Sequence, residues 1–517
     1  MTIASPHPSI TVPDSDITSY VLEGVSSDER ELLVDGPSGR SFTGPEIERA
    51  IRGIAAGLTE RGVGKGDVVG LYLPNLPEYA FCFHGVCTTG AVNTTANPLY
   101  TARELTHQLG DSGARMLITV PAVLETALEA AAATGVEEVF VVGEAEGAKP
   151  LSELIGDPEA APTPEIDVRE DVAVLPYSSG TTGLPKGVML THHNLVANLC
   201  QVQAALVPGA EDVLIAVLPF FHIYGQTVIM NLGMRTGAKV VTMPRFELEQ
   251  FLGLIAEHRV TRAYVVPPIA LALAKHPAID DADLSSLELI MSGAAPLGSD
   301  LADAVAERIG CPVMQGYGLT ETSPVTHLVP PSESRGRGGQ IGRPLADTEC
   351  RVVDPGTGAD AERGELWIRG PQVMKGYLHN AKATAATIDP EGWLHTGDVA
   401  VVDDDGYFEI VDRLKELIKY NGYQVPPAEL EGILIAHPAI SDAAVIGIPD
   451  DDCGELPKAF VVAGDEVSDD EIMEFVAGQV SPQKRVRLIE RVDEIPKSPS
   501  GKILRRLLAG REPAGSR

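Results

Sequence analysis

The densest run of residues suited to phosphate chemistry is Tyr177-Ser-Ser-Gly-Thr-Thr-Gly-Leu-Pro-Lys-Gly187, which follows an apolar, strand-like stretch at residues 172–175. Its three glycines let backbone N–H groups point inward, its hydroxyls add donors, and Lys186 supplies a cation, a combination that suits a polyphosphate. The run is not a loop of the Gly-Lys-Ser/Thr type, because Lys186 lies between Pro185 and Gly187. Taken alone, it is also compatible with an ordinary glycine-rich turn.

Two further runs carry groups that can hold other parts of a nucleotide. In Gln315-Gly-Tyr-Gly-Leu-Thr-Glu321 an aromatic ring can stack on a base, the glycines allow close backbone approach, and Glu321 can hold Mg²⁺. In Trp393-Leu-His-Thr-Gly-Asp398 the carboxylate of Asp398 can bind ribose hydroxyls. The alternatives are a turn after a strand for the first run and a capping aspartate in a turn for the second.

Two basic runs lie nearer the carboxyl end. Asp412-Arg-Leu-Lys-Glu-Leu-Ile-Lys419 is compatible with an amphipathic, solvated helix, and Ser500-Gly-Lys-Ile-Leu-Arg-Arg506 with an exposed basic turn. Between residues 484 and 506 there are eight basic residues and only three acids. This segment is therefore a local exception in a chain with a formal net charge of −33.

Helical and strand-like patterns alternate through most of the 517 residues. Helical periodicity covers residues 44–60, 102–109 and 248–257, and short apolar runs cover 68–73, 116–119, 139–142 and 239–243. Such alternation predicts parallel α/β layers. Surface loops are expected at 144–167 and 330–340. Asp405-Gly406 lies between alternating residues and predicts a hairpin.

From residue 413 onward the chain has strand and helix patterns of its own, at residues 443–448, 459–462 and 469–477. We therefore expect two domains, residues 1–412 and 413–517. A chain this long has ample apolar material for both cores.

Composition excludes several classes of protein. The strong negative charge argues against binding to nucleic acid or to an anionic membrane. Six scattered cysteines without a CxxC pair argue against a disulfide framework or a zinc site. The chain shows no secretory signal and no run of about 20 apolar residues, so we expect a cytoplasmic protein.

Together, the chemical runs resemble the adenylate-forming superfamily of acyl-CoA synthetases, luciferases and peptide-synthetase adenylation domains. The resemblance extends from about residue 40 to Leu508 and is greatest to the 4-coumarate:CoA ligase group. Four more runs support it: Pro219-Phe-Phe-His-Ile-Tyr224, Tyr264-Val-Val-Pro-Pro268, Ser292-Gly-Ala-Ala-Pro-Leu297 and Gly422-Tyr-Gln-Val-Pro-Pro-Ala-Glu-Leu-Glu431. It implies an α/β fold in which a large N-terminal domain of parallel layers also carries a small β-barrel. A smaller, mobile α+β C-terminal domain follows.

The resemblance also implies roles for individual residues in binding ATP. Thr320 would touch the α-phosphate, Glu321 would bind Mg²⁺, and Asp398 with Arg413 would hold the ribose. Lys502 would bridge the substrate carboxylate and the α-phosphate during adenylation. The phosphate loop would comprise Ser178, Ser179, Gly180, Thr181, Thr182, Gly183 and Lys186, and the adenine would be lined by Ala294, Ala295, Pro296, Gln315, Gly316, Tyr317 and Gly318.

Further positions correspond to the hinge, the acyl pocket and the coenzyme A site. Lys415 corresponds to the hinge, and Lys419 with Gln424 to a face used in the second step. Arg245, Asn421 and Gly422 would approach coenzyme A. The acyl pocket would be lined by His222, Tyr224, Met291, Gly293, Gly316 and Val325.

Two residues depart from the family pattern. Asn421 replaces the usual lysine of the KGF or KGY turn, which puts the coenzyme A contact there in doubt. Met291 stands where many plant members have lysine, which puts a hydroxylated plant substrate in doubt. His222 beside Phe220 and Phe221 can also be a simply packed interior histidine.

The expected reaction is ATP-dependent ligation of a carboxylic acid to coenzyme A through an acyl-adenylate. The acid would be aromatic, like cinnamate or 4-coumarate, or of medium chain length. Alternatives within the fold are an amino-acid adenylating enzyme and a luciferase-like oxidase. Neither an aspartate near residues 222–224 nor a carrier domain after Leu508 is present in the sequence to favour the former. An inactive nucleotide-binding regulator is a third alternative.

Overall fold

A computed structural model describes residues 2–178, 185–206, 208–421, 423–450, 453–464, 467–498 and 501–509. Ser179, Gly180, Thr181, Thr182, Gly183 and Gly422, all named above as candidate site residues, lie outside the described residues. The described α-helices before residue 418 are Ile17–Leu22, Gly44–Glu60, Pro77–Thr88, Ala102–Ser112, Leu124–Ala132, His192–Leu206, Leu232–Thr236, Leu248–His258, Pro267–Lys275, Ser299–Ile309 and Ala381–Thr387. Those after it are Pro427–Ala436, Asp469–Ala477 and Arg505–Ala509.

The largest described sheet joins parallel strands to antiparallel ones. Its fourteen strands, in spatial order, are Ile3–Ala4, Glu349–Val353, Arg363–Arg369, Leu394–Val402, Phe408–Arg413, Gln340–Pro344, Val325–Leu328, Val313–Gly318, Leu289–Ser292, Arg262–Val265, Val213–Ala216, Lys239–Thr242, Glu31–Asp35 and Ser41–Thr43. The resemblance implies a small β-barrel. In the structure the antiparallel strands of this region form one half of the large sheet, with a core of their own around Val352, Leu366 and Phe408.

A second sheet of eight described strands faces the first across a layer of helices. Its strands are Gly376–Tyr377, Lys186–Thr191, Val172–Ser178, Val92–Thr95, Val68–Tyr72, Ala114–Thr119, Glu138–Val141 and Lys149–Pro150. The helix Pro77–Thr88 lies between the two sheets, and every residue from 77 to 87 is buried. Most of its residues are apolar, with Glu78 and His84 as exceptions, because both of its faces meet a sheet.

The third sheet is built from residues 418–491 and has a separate hydrophobic core. Its described strands are Tyr423–Val425, Ile418–Tyr420, Gly454–Ala463, Ile440–Asp450 and Leu488–Arg491. The helices Pro427–Ala436 and Asp469–Ala477 pack on one face through Leu430, Leu434 and Ile472. The helix Arg505–Ala509 packs on the other through Leu508. We call residues 418–509 the C-terminal unit.

The parallel pairing between two strands of the large sheet ends in the region where the candidate residues lie. Leu289–Ser292 pairs in parallel with Val313–Gly318, with Ser292 opposite Gln315. Residues 293–296 and 316–318 therefore follow at the same sheet edge, the carboxyl edge at which open α/β sheets bind ligands.

Several of the simpler alternatives are wrong. Residues 412–419 form no helix: the strand Phe408–Arg413 is followed by a turn and the strand Ile418–Tyr420. Asp398 lies within the strand Leu394–Val402, so that run is not a turn. In the run from Gln315 to Glu321, residues 315–318 end a strand and Thr320–Thr322 is a 3₁₀ turn, so a turn after a strand does describe its second half. The described helices include none with the length and apolar character that crossing a bilayer requires.

Candidate active site

The two ends of the glycine-rich run are brought together by an antiparallel strand pair. Val172–Ser178 runs against Lys186–Thr191, with Ser178 directly opposite Lys186. The ammonium of Lys186 lies 4.8 Å from the ring centroid of Tyr377, a cation–π arrangement that fixes the direction of the side chain. A hydroxyl and a cation thus flank the loop.

The carboxylate of Glu321 lies against the same strand pair. Its Oε1 accepts hydrogen bonds of 2.9 Å from Oγ of Ser178 and 2.9 Å from the phenol of Tyr377. Thr320 begins the single 3₁₀ turn Thr320–Thr322 that carries Glu321. Glu321 is therefore oriented by two donors from the smaller of the two large sheets.

Tyr317, Asp398 and Arg413 form a connected polar group. The phenol of Tyr317 donates a 2.6 Å hydrogen bond to Oδ2 of Asp398, and Nε of Arg413 lies 3.0 Å from Oδ1. Asp398 and Arg413 are also direct partners across two antiparallel strands. Asp398 is 3% exposed. Burial raises its pKa, and the charge of Arg413 and the bond from Tyr317 oppose that shift. The arrangement suits paired ribose hydroxyls.

Backbone conformation shapes the neighbouring sheet edge. Ala294 has φ of 68°, in the left-handed region that disfavours residues with a Cβ. Gln315 is buried, and its Oε1 accepts a 3.2 Å hydrogen bond from the backbone N–H of Leu297. Ala295 is half-buried and Pro296 exposed. At Gly318 any side chain is excluded, since a Cβ would lie 2.0 Å from the carbonyl oxygen of Pro324.

The predicted acyl-pocket residues pack closely against one another. A Cβ added to Gly293 would lie 2.9 Å from Cε1 of Tyr224, and one added to Gly316 would lie 2.7 Å from Cε of Met291. Tyr224 and Met291 therefore occupy the space beside Gly293 and Gly316, respectively. Met291 is 2% exposed and Val325 is buried, so the lining is apolar.

His222 is held in one tautomer. Its Nδ1 accepts the backbone N–H of Tyr224 at 3.3 Å, which leaves the ring proton of a neutral imidazole on Nε2. Burial and the nearby charge of Lys502 lower its pKa to about 4. His222 is thus a neutral group close to Lys502.

Lys502 reaches this region from the C-terminal unit. It lies in a short turn in which Ser498 donates its N–H to the Lys502 carbonyl at 2.8 Å and accepts the Lys502 N–H on Oγ at 3.1 Å. Burial, then the charge of Arg413, lower the pKa of the ammonium to about 8, while Glu416 and Asp398 oppose the shift. Lys502 is therefore close enough to Arg413 and Asp398 to interact electrostatically with both.

A cavity of about 1100 Å³ separates the two parts of the chain near Lys502. Tyr177, His107 and Arg103 line one wall, and Lys415 and Lys419 line the other. Six of the lining side chains are those of lysine or arginine, namely Arg103, Lys415, Lys419, Lys502, Arg505 and Arg506. This local surplus of cations suits anionic substrates despite the negative charge of the whole chain.

The predicted coenzyme A residues are not gathered in this cavity. Its described lining includes neither Arg245 nor Asn421, and Gln424, which was predicted for the second-step face, is not part of it either. The side chain of Arg245 is 82% exposed and pairs with Glu247. Gln424 is exposed opposite Lys419 in the hairpin that joins Ile418–Tyr420 to Tyr423–Val425. Asn421, at the tip of that hairpin, is exposed with φ of 49°.

The comparisons with known proteins agree with this geometry. The family model described as "AMP-binding enzyme" matches residues 25–378, and "AMP-binding enzyme C-terminal domain" matches residues 429–502. A protein named 4-coumarate--CoA ligase 3 from Oryza sativa subsp. japonica is 46% identical over 94% of this chain and 90% of its own length. The chain belongs to the AMP-binding enzyme family.

Solved structures extend the likeness of this AMP-binding enzyme to three dimensions. The anthranilate CoA ligase AuaEII in complex with anthranoyl-AMP has a TM-score of 0.88 and 29% identity, covering 96% of this chain and 97% of its own. ATP-bound MatB from Rhodopseudomonas palustris has a TM-score of 0.87 and 27% identity, covering 96% and 98%. The predicted membership of the adenylate-forming superfamily and the predicted α/β fold class are confirmed.

The sequence analysis did not identify two residues near the site of this AMP-binding enzyme, Tyr377 and Arg505. Tyr377 holds Glu321 and lies under Lys186, although nothing in the run around it suggests a site. Arg505 contacts Glu416 beside the predicted hinge at 2.7 Å and Glu431 at 2.7 Å. Arg505 lies in the basic run at residues 500–506, which was recognised in the sequence, but only Lys502 of that run was assigned a role.

Proposed function

We propose that this AMP-binding enzyme ligates a carboxylic acid to coenzyme A in two steps, with ATP and coenzyme A as cosubstrates. The acid first reacts with ATP to give an acyl-adenylate and pyrophosphate, and the thiol of coenzyme A then displaces AMP. The observation that carries the proposal is the cation-lined cavity that includes Lys502, together with the buried Asp398 paired with Arg413. An AMP-forming acid–thiol ligase is also what the family and its named relatives support.

The chemical difficulty of the first step is that a carboxylate must attack an anionic phosphate. Charge neutralisation and in-line placement matter more here than a general base. Lys502 bridges the attacking carboxylate and the α-phosphate, while Lys186 and the loop after Ser178 hold the outer phosphates. Asp398 and Arg413 fix the ribose, so that the α-phosphate is presented in one orientation.

Glu321 is the residue that would hold Mg²⁺. Magnesium commonly binds through one or two carboxylates together with waters and substrate phosphates. A single carboxylate that Ser178 and Tyr377 orient fits this mode of binding. When bound, the ion supplies positive charge to the polyphosphate. Ser178 and Tyr377 hold the carboxylate in position for it.

The second step calls for a different arrangement of the C-terminal unit. Residues 1–412 and 413–517 act as two domains that turn about Lys415. The turn withdraws Lys502 and presents the hairpin with Lys419, Asn421, Gly422 and Gln424, opening a route for the thiol of coenzyme A. The exposure of Lys419 and Gln424 supports this role, and closure protects the reactive mixed anhydride from water.

The acid is aromatic, of the cinnamate or 4-coumarate kind, or of medium chain length. Relatives named as 4-coumarate--CoA and anthranilate CoA ligases support an aromatic acid. The buried Met291 and Val325 give an apolar lining. Nucleic acid and membranes are not expected partners, and a cytoplasmic location stays a prediction of the sequence.

The test is a pair of assays on the purified full-length protein. Pyrophosphate release is measured with ATP, Mg²⁺ and each of benzoate, cinnamate, 4-coumarate and medium-chain acids, and thioester formation is measured after coenzyme A is added. We expect acid-dependent release followed by thioester. Release without thioester would identify an adenylating enzyme that does not use coenzyme A. Lack of both with every acid would contradict the proposal.

A further inference from the structure

The helix Pro267–Lys275 contacts the C-terminal unit at both of its ends. It follows the strand Arg262–Val265 of the large sheet, so its position is fixed by the body of the protein. One end lies against the turn that carries Lys502, and the other against the helix Pro427–Ala436. A single rigid element thus touches two separated points of the C-terminal unit.

At its amino end the helix meets the residue before Lys502. A Cβ built on Gly501 would lie 3.1 Å from Cβ of Val266 and 3.4 Å from Cδ of Pro268. Gly501 has φ of 78°, which glycine adopts without strain. The backbone of the Lys502 turn therefore packs closely on the start of the helix, and even a methyl group there would be crowded.

At its carboxyl end the contact is polar. Nζ of Lys275 donates hydrogen bonds of 3.2 Å to the carbonyl of Ile435 and 3.3 Å to the carbonyl of Ile440. Ile435 lies in the last turn of the helix Pro427–Ala436, where carbonyl groups have no partner within the helix. The partial negative charge at a helix carboxyl end attracts a cation. Lys275 thus satisfies the carbonyl of Ile435, which would otherwise depend on water.

We propose that the helix Pro267–Lys275 is the docking element that sets Lys502 over the reacting groups, and that Lys275 is a positioning residue for adenylation. The inference rests on the proposed function, since it concerns the step that Lys502 serves. Lys275 does not approach the reacting atoms: it acts by holding the far end of the C-terminal unit, while Gly501 packs at the near end.

The chemistry of the contact suits an interaction that must break in every catalytic cycle. Lys275 is exposed, and its described partners in the C-terminal unit are neutral carbonyls. A hydrogen bond of this kind at the surface exchanges readily with water. It biases the position of the unit without locking it, as motion about Lys415 requires.

Measuring the two half-reactions separately distinguishes a positioning role of Lys275 in adenylation from a general loss of structure, which would affect both. Lys275→Met keeps the length of the side chain and removes the ammonium, and Lys275→Arg keeps a cation. Lys382→Met removes another exposed lysine from a helix and serves as the matched control. For each variant we would measure single-turnover pyrophosphate release, thioester formation from preformed acyl-adenylate, and the midpoint of thermal unfolding.

Lys275→Met is expected to slow adenylation about 5–10-fold, which corresponds to roughly 1–1.4 kcal/mol. It should leave the conversion of preformed adenylate to thioester unchanged or faster. Lys275→Arg should recover at least half of the lost rate, and all midpoints should agree within about 1–2 °C.

Three outcomes would overturn the inference: adenylation in Lys275→Met equal to that in Lys382→Met, an equal loss in both half-reactions, or failure of Lys275→Arg to recover any rate. Failure of the proposed function would look different, since the unaltered protein itself would then make neither adenylate nor thioester.

Discussion

The phenol of Tyr377 donates a 2.9 Å hydrogen bond to Oε1 of Glu321, joining the edge strand of one sheet to the turn that follows a strand of the other. The ring of the same tyrosine lies under the ammonium of Lys186. One side chain therefore sets the relative positions of the proposed Mg²⁺ ligand and the cation of the phosphate loop.

Tyr377→Phe removes the donor to Glu321 and keeps the ring under Lys186. We expect adenylation to fall about 10-fold, or ~1.4 kcal/mol, and the Mg²⁺ concentration for half-maximal activity to rise, because the carboxylate loses one of its two orienting bonds. Tyr407→Phe, which removes a phenol bonded to Glu333, is the control and should leave both quantities unchanged. An unaltered Mg²⁺ dependence in Tyr377→Phe would separate this tyrosine from the metal.

Lys502→Ala should lower acyl-adenylate formation at least ~10²-fold, since it removes a preorganised charge from the transferring phosphate. Supplied with preformed acyl-adenylate, the variant should make thioester at close to the unaltered rate. The measurement is the rate of each half-reaction. Parallel losses in a protein of normal stability would remove Lys502 from its assigned role.

The pH dependence of adenylation should reflect the lowered pKa of Lys502, about 8. The ammonium is charged below that pH and neutral above it, so kcat/KM for pyrophosphate release should fall as the pH rises through about 8. Bound ATP, an anion, favours the charged form and moves the corresponding fall in kcat to higher pH. In Lys502→Arg the residual rate should stay level to above pH 9, because guanidinium keeps its proton.

Lys415→Pro tests the hinge. Proline fixes φ near −65° and restricts the preceding Leu414, so the C-terminal unit should be trapped in one position. We expect adenylate to accumulate without turnover to thioester. Lys415→Ala keeps backbone freedom and should be close to normal in both steps. Ordinary thioester synthesis by Lys415→Pro would exclude a hinge at this residue.

Met291 should set a gradient among aromatic acids. A phenolic hydroxyl buried beside it would lose its bonds to water, at about 1–3 kcal/mol, although apolar pockets reject an added hydroxyl only weakly. We expect kcat/KM to be highest for cinnamate, lower for 4-coumarate and lowest for caffeate. Met291→Lys should narrow or reverse this order. Preference of the unaltered protein for caffeate would mean that another polar group reaches the ring.

The sequence predicted correctly those helices and turns whose ends are marked by neighbouring capping or turn residues. The helix Gly44–Glu60 has its predicted bounds, and a capping box of Thr43 and Glu46 marks its start. The hairpin at Asp405 and Gly406 forms between its two strands as predicted. By contrast, the helix expected at 102–109 continues to Ser112, where Gly113 ends it in a left-handed conformation. Periodicity fades before the last turn of a helix, so its end was placed too early.

Contacts that depend on tertiary packing had no local signal. Tyr377 reaches Glu321 across 56 positions only because the short strand Gly376–Tyr377 pairs with Lys186–Thr191. In the sequence Lys275 is an ordinary residue at the end of a helix, and its role depends on contacts with the C-terminal unit that the sequence does not show. The left-handed backbone at Ala294 could likewise not be predicted, because an alanine in the sequence does not indicate a positive φ.

The pairing of Asp398 with Arg413 also bears on where the proposed rotation of the C-terminal unit would begin. Arg413 is the last residue of its strand, and Lys415 follows two positions later. The strand Phe408–Arg413 is held by its ladder to Leu394–Val402, so rotation about the proposed hinge would start immediately after the residues proposed to hold the ribose. In the proposed mechanism, the nucleotide half of the adenylate would therefore stay bound to the N-terminal domain while Lys502 leaves, and the acyl group would stay in place for the incoming thiol.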